Sequence, residues 1–116
     1  MTTVLVVEDE VLLSFVISEG LVAEGYDVLT ASSADEAIKI LESRNDISTI
    51  FTDIAMPGSM DGLKLAAAVR DRWPPVNIVL TTGNNRPQED EMPKNSVFVP
   101  KPYQTADVLN AFRAFC

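Results

Sequence analysis

Histidine is absent from this chain and cysteine occurs once, which removes several kinds of chemistry. Without histidine, the commonest general base and zinc ligand is missing. Cys116 is the last residue, so an internal disulfide is excluded. No stretch approaches the roughly 18 consecutive apolar residues of a membrane span, and the N-terminus has no signal-like segment. We therefore expect a cytoplasmic protein with no membrane partner.

Basic residues are also scarce, with 9 Lys and Arg against 17 Asp and Glu and a net charge of −8. This balance argues against direct binding of nucleic acid, because no positive field would attract a phosphate backbone. What the chain does have is 116 residues, 47% of them hydrophobic, which suffices for one continuous core. We expect a single domain over residues 1–116 with no attached output domain.

Apolar runs with strand and helix periodicity alternate along the chain. This alternation predicts a doubly wound α/β fold, a five-stranded parallel sheet with helices on both faces. In the first helix Leu12, Phe15, Val16, Leu21 and Val22 recur at helical spacing. The segment Gly83–Lys94 is rich in proline and acid, so the helix expected there is short or irregular. Strands are predicted at Thr3–Val7, Tyr26–Ala31, Ile47–Thr52, Asn77–Thr82 and Ser96–Val99, and helices at Val11–Ala23, after the Ser33 cap, at Leu63–Trp73 and at Tyr103–Phe115.

Polar residues follow the predicted strands at the edge of the sheet where α/β proteins bind ligands. Carboxylates gathered in one cleft repel one another unless a cation is bound. Hard oxygen ligands without histidine or thiolate favour Mg²⁺. Any one such residue has an ordinary structural explanation, because strands end in water. The residues concerned are Glu8, Asp9, Asp53, Thr82 and Lys101.

A carboxylate beside Mg²⁺ can act as a nucleophile toward phosphorus, while a hydroxyl and an ammonium help to neutralise the transferring group. Asp53, Thr82 and Lys101 supply these three roles. Phe98 lies on the last predicted strand, where ordinary core packing accounts for an aromatic residue.

Four segments, taken in order, match one known family over the whole chain: Val4–Glu10, Thr52–Gly58 with Asp61-Gly62, Leu80–Gly83 and Phe98–Tyr103. They resemble the receiver domains of bacterial response regulators, the family that includes the chemotaxis signalling protein. The resemblance implies a flavodoxin-like strand order, 2-1-3-4-5, and a place in a two-component phosphorelay. It also implies that the chain catalyses only its own phosphorylation and dephosphorylation.

The resemblance assigns roles to individual residues. Asp53 would accept the phosphoryl group, and Lys101 would pair with the phosphoryl oxygens. Asp9, Asp53 and the backbone carbonyl of Ala55 would bind Mg²⁺ directly, with Glu8 reaching it through water. Thr82 would be the switch hydroxyl and Phe98 the aromatic residue that follows it. The Lys101–Pro102 bond is often cis in this family.

The resemblance also implies partners. The donor would be a sensor histidine kinase or a histidine phosphotransfer protein. Phosphorylation would change the face near the fourth helix, the fifth strand and the last helix, which the family uses to bind downstream effectors or to form homodimers. The sequence does not identify the kinase or the effector.

Two other functions remain open at this point. A small phosphatase of the haloacid dehalogenase type also uses an aspartate after a strand, but it needs a second acid two residues later, where this chain has Ala55. A receiver-like scaffold that signals without phosphorylation usually lacks one of the acids or the lysine. All of them are present here.

Overall fold

The computed structural model describes residues 2–56, 58, 60–84 and 86–115. Five parallel strands form one sheet in the order β2-β1-β3-β4-β5, which confirms the predicted fold. Within the described part of the chain, no helix is long and apolar enough to cross a membrane. The elements are β1 (Thr3–Val7), α1 (Val11–Ala23), β2 (Asp27–Ala31), α2 (Ala34–Ser43), β3 (Ile47–Asp53), α3 (Gly62–Arg72), β4 (Asn77–Thr82), a short 3₁₀ helix (Glu89–Glu91), β5 (Ser96–Pro100) and α4 (Thr105–Arg113).

Helices cover both faces of the sheet, as predicted. Because neighbouring side chains of a strand point to opposite faces, β1 contributes to two separate cores. Leu5 and Val7 pack with α2 and α3, whereas Val4 and Val6 pack with α1 and α4. All five residues of β1 are buried, which explains the unbroken apolar run that marks this strand in the sequence.

The predicted bounds of β1, α1 and β4 agree with the structure. Ser33 caps α2 as predicted, with its hydroxyl accepting a hydrogen bond from the Glu36 backbone N–H at 3.2 Å. Pro57, within the Thr52–Gly58 segment, and the terminal Cys116 lie outside the described residues.

The buried face of α1 is not the one that its apolar spacing suggests. Of the five apolar residues counted for this helix, only Leu21 is buried, and Leu12 and Phe15 are 76% and 59% exposed. The helix packs on the sheet through Ser14, Ile17 and Leu21. Since α1 is apolar on both sides, its periodicity identifies a helix but cannot select the buried face.

The segment between β4 and β5 contains the 3₁₀ helix Glu89–Glu91, whose three residues are all exposed. This confirms the expectation of one short, irregular turn of helix. With no buried side chain of its own, the turn has little hydrophobic stabilisation.

A close approach of α3 to the end of β3 fixes the turn after Asp53. The Gly62 backbone N–H donates to the Ile54 carbonyl at 2.9 Å. A Cβ added at Gly62 would overlap the Asp53 carbonyl oxygen and the Ile54 Cα. Asp61 caps the same helix by accepting from the Lys64 N–H at 2.9 Å. The lack of a side chain at residue 62 therefore lets α3 support the segment that presents Asp53.

We expect Gly62→Ala to lower the free energy of unfolding by about 2 kcal/mol or more, because the new methyl group meets backbone that cannot move aside. Gly83→Ala is the matched control, since a Cβ there would make ordinary contacts of 3.8 and 3.9 Å with the Lys101 side chain. Urea unfolding followed by circular dichroism measures both variants. Equal midpoints for the two would contradict the close approach.

Candidate functional site

The residues predicted to form a site meet at the carboxyl ends of the central strands. Asp53 is the last residue of β3 and lies opposite Thr81 of β4. The backbone N–H of Ile54 donates to the Thr81 carbonyl at 2.8 Å, and that of Lys101 donates to the Thr82 carbonyl at 3.1 Å. These bonds extend the sheet register past the strand ends. They hold the backbones of residues 53, 82 and 101 at one edge of the sheet.

Three carboxylates come together at this edge. Glu8, Asp9 and Asp53 each offer an oxygen, and these oxygens lie within 4.8 Å of one another. Glu8 and Asp53 are only 5% and 4% exposed, whereas Asp9 is partly exposed. The cluster thus has one side open to solvent and two members held in the protein.

Lys101 pairs with two of the three acids. Its Nζ lies 2.8 Å from Asp53 Oδ2 and 3.1 Å from Glu8 Oε1. Burial disfavours the ammonium, but the hydrogen bonds to Asp53 and Glu8 outweigh it, so the pKa of Lys101 is raised. The side chain therefore stays charged at neutral pH.

Glu8 is the acid most affected by its surroundings. Burial is the largest cause that raises its pKa, and the nearby Asp53 charge adds to it, so the pKa rises from 4.5 to about 7. The backbone N–H of Glu10, 3.1 Å from Oε2, and the ion pair with Lys101 act in the opposite direction. Desolvation thus outweighs the ion pair at this position.

The turn after β3 contributes a donor to Asp53. The Ala55 backbone N–H lies 3.2 Å from Asp53 Oδ1, so each carboxylate oxygen of Asp53 has a hydrogen-bond donor. Ala55 itself is exposed. The assignment of its carbonyl as a metal ligand stays a prediction.

The two predicted switch residues lie on neighbouring strands. Thr82 is 3% exposed, and its hydroxyl accepts a hydrogen bond from the Asn84 backbone N–H at 3.2 Å. Phe98 lies on β5 opposite Leu80 and is partly buried against the core beneath α2 and α3. The guanidinium of Arg86 lies 5.1 Å from the centre of the Phe98 ring. The switching roles of Thr82 and Phe98 stay predictions.

Tyr103 packs beside the site, just before α4. Its ring meets Phe51 edge to face at 5.4 Å, and the preceding Lys101–Pro102 bond is cis. Burial and the Glu8 charge raise the pKa of Tyr103 to about 12.

The contact of Arg86 with Phe98 was not identified from the sequence, because it depends on the path of an irregular loop.

Comparison with known proteins gives the family of this fold and site. The family model for the response regulator receiver domain matches residues 4–113. A solved response regulator receiver protein from Sinorhizobium medicae is 27% identical, with a TM-score of 0.91 over 97% of this chain and 92% of that one. The response regulator protein TrrA from Thermotoga maritima, solved in complex with Mg²⁺ and BeF, is 28% identical, with a TM-score of 0.87 over 100% of both chains.

Curated relatives are longer proteins. Response regulator FleR of Pseudomonas aeruginosa is 35% identical over 79 residues, which cover 68% of this chain and 16% of FleR. Sensor kinase CckA of Brucella abortus is 32% identical over 108 residues, which cover 87% of this chain and 11% of CckA. The chain thus spans less than a fifth of either relative. Since one family model matches almost its whole length, the chain belongs to the response regulator receiver domain family of two-component signalling systems.

Proposed function

We propose that this receiver domain accepts a phosphoryl group on Asp53 and passes that state to a partner protein as a change of surface. The observation that carries the proposal is the placement of Asp53. Its carboxylate is buried at a strand end, 2.8 Å from the Lys101 ammonium and next to the carboxylates of Glu8 and Asp9. This is a nucleophile held beside a fixed cation.

The transfer step uses groups that are already in position. A carboxylate oxygen of Asp53 attacks the phosphorus of a phosphohistidine, an O–P bond forms, and the P–N bond breaks with release of the imidazole. Lys101 is within reach of the incoming phosphoryl oxygens, because its Nζ is already bonded to Asp53. Later attack by water on the phosphorus breaks the new O–P bond and releases inorganic phosphate.

The acidic cluster suits Mg²⁺ as the cofactor. Three carboxylates face one ammonium, so a divalent cation would offset the remaining charge, and oxygen ligands are those that Mg²⁺ prefers. Asp9, Asp53 and the Ala55 carbonyl would hold the ion directly and Glu8 through water. When bound, the ion would neutralise charge on the phosphoryl group during transfer.

A phosphohistidine donor must be another molecule, because this chain has no histidine. A sensor histidine kinase or a histidine phosphotransfer protein fits this requirement. Helix α1 begins directly after the Glu8–Glu10 run. Three of its apolar residues are exposed: Val11 by 82%, Leu12 by 76% and Phe15 by 59%. Exposed apolar groups beside the site favour a protein donor over a small molecule, since burying them would stabilise the complex.

The response to phosphorylation would run through Thr82 and Phe98. The Thr82 hydroxyl would leave the Asn84 N–H and turn to the phosphoryl group, and Phe98 would move into the space vacated. Both residues adjoin the segment between β4 and β5, so their movement would alter the face formed by this segment, β5 and α4. An effector protein, not yet identified, or a second copy of the chain would bind that face.

Intact mass measured after incubation with Mg²⁺ and acetyl phosphate tests the phosphorylation. We expect one added phosphoryl group on the wild type, and none in Asp53→Asn or without Mg²⁺. Asp71→Asn is the control, because this exposed aspartate lies on α3 outside the cluster and its variant should gain the group normally. A protein that stays unmodified with acetyl phosphate and with a phosphorylated histidine phosphotransfer protein would point to the phosphorylation-independent scaffold.

The metal-free protein should lose stability as pH rises from about 4.5 to 7. The folded-state pKa of Glu8 is about 7, against 4.5 for a free carboxyl, so in this window the folded state binds more protons than the unfolded state. The slope approaches roughly 1.4 kcal/mol per pH unit. Urea unfolding in EDTA should show this slope in the wild type and not in Glu8→Gln.

Glu10→Gln is the control for that measurement, because Glu10 is exposed and its side chain lies outside the cluster. It should keep the pH dependence of the wild type. Saturating Mg²⁺ should reduce the slope in the wild type, since a cation favours the ionised carboxyl. A wild type and a Glu8→Gln variant with parallel pH profiles would contradict the raised pKa.

A further inference from the structure

The segment that follows β4 contacts both proposed switch residues. The Asn84 backbone N–H donates to the Thr82 hydroxyl at 3.2 Å, and two residues later the Arg86 guanidinium lies 5.1 Å from the centre of the Phe98 ring. One short stretch of chain thus bonds to the hydroxyl and covers the aromatic ring. These are the two groups that must move if the domain switches.

We propose that Arg86 acts as a latch that stabilises the resting conformation by stacking on Phe98. This inference rests on the proposed function and adds a residue that sets how readily the domain responds. In the switched state Phe98 moves inward, so its ring leaves Arg86 and the cation–π contact is lost. A contact made in one state only shifts the equilibrium between the two without taking part in the chemistry.

The surroundings of Arg86 support a specific contact with the ring. Three acids, Glu89, Asp90 and Glu91, follow in the same segment, yet among the described residues Arg86 forms no ion pair with a carboxylate. Its side chain is exposed and the Phe98 ring is partly buried. Where the guanidinium is exposed to solvent, a cation–π contact contributes a modest stabilisation, and removing it leaves the core intact. Its loss should therefore change the equilibrium and not the fold.

Beryllofluoride, which mimics a phosphoryl group on a carboxylate, provides the test. Its affinity in saturating Mg²⁺ is measured by titration calorimetry for the wild type, Arg86→Gln, Arg86→Lys and Lys94→Gln. When the resting state predominates, weakening it raises the apparent affinity by the same factor. We expect Arg86→Gln to bind about two- to five-fold more tightly than the wild type, the range that corresponds to an exposed cation–π contact.

Lys94→Gln is the matched control, because Lys94 is an exposed cation in the same segment and removing a positive charge by itself weakens anion binding. This control should bind equally or slightly more weakly. The two glutamine variants are thus expected to change in opposite directions. Arg86→Lys should lie between the wild type and Arg86→Gln, since lysine keeps the charge and loses the planar guanidinium.

A second measurement reads the equilibrium directly. In the ligand-free protein, the backbone amide signals of Thr82 and Phe98 in Arg86→Gln should move from their wild-type positions toward those of the beryllofluoride complex. A wild type that binds beryllofluoride, combined with an Arg86→Gln variant that matches Lys94→Gln in affinity and leaves these signals unmoved, overturns the latch alone. A wild type that neither binds beryllofluoride nor gains a phosphoryl group overturns the proposed function, and the latch with it.

Discussion

The concentration of negative charge at one edge of the sheet is the constraint on which the rest of this structure depends. Oxygens of Glu8, Asp9 and Asp53 lie within 4.8 Å of one another, and Lys101 supplies one positive charge between two of these acids. Burial within this cluster disfavours the ionised form of Glu8, and the pKa of Glu8 is therefore raised. In the proposed function, the same cluster would favour a metal ion and an electrophilic phosphoryl group. The proposed affinity for these ligands and the desolvation of Glu8 would therefore have the same origin.

Backbone contacts hold this charge in place. The backbone N–H of Lys101 donates a hydrogen bond to the Thr82 carbonyl. The position of the Lys101 ammonium therefore depends on the register of β4 and not on the flexible lysine side chain alone. Asp53 is fixed by the turn that rests on α3, where the absence of a side chain at Gly62 allows close contact. The two charged groups that meet at 2.8 Å thus belong to separately anchored segments. Such anchoring would reduce the conformational freedom that must be lost during the proposed phosphoryl transfer.

The strands and the site could be predicted from the sequence because both leave strong local signals. Buried parallel strands are continuous apolar runs, and the polar residues that end them, from Glu8 to Lys101, necessarily meet at one edge. The exposed face of α1 could not be predicted, since Leu12 and Phe15 are as apolar as the buried Ile17 and only tertiary packing distinguishes them. The contact of Arg86 with Phe98 could not be predicted from the sequence either. It depends on the path of a segment with no regular periodicity.

The anchored site and the segment after β4 would meet opposite requirements of the proposed function. Transfer to Asp53 needs fixed geometry, whereas a response needs two conformations of similar free energy. Thr82 connects the two, because its carbonyl accepts from Lys101 while its hydroxyl accepts from Asn84. A new anion at Asp53 would compete for that hydroxyl without disturbing the backbone bond that positions the lysine. The proposed switch would therefore operate through the Thr82 side chain, and contacts on the segment beyond it, such as that of Arg86 with Phe98, would set the balance between the two conformations.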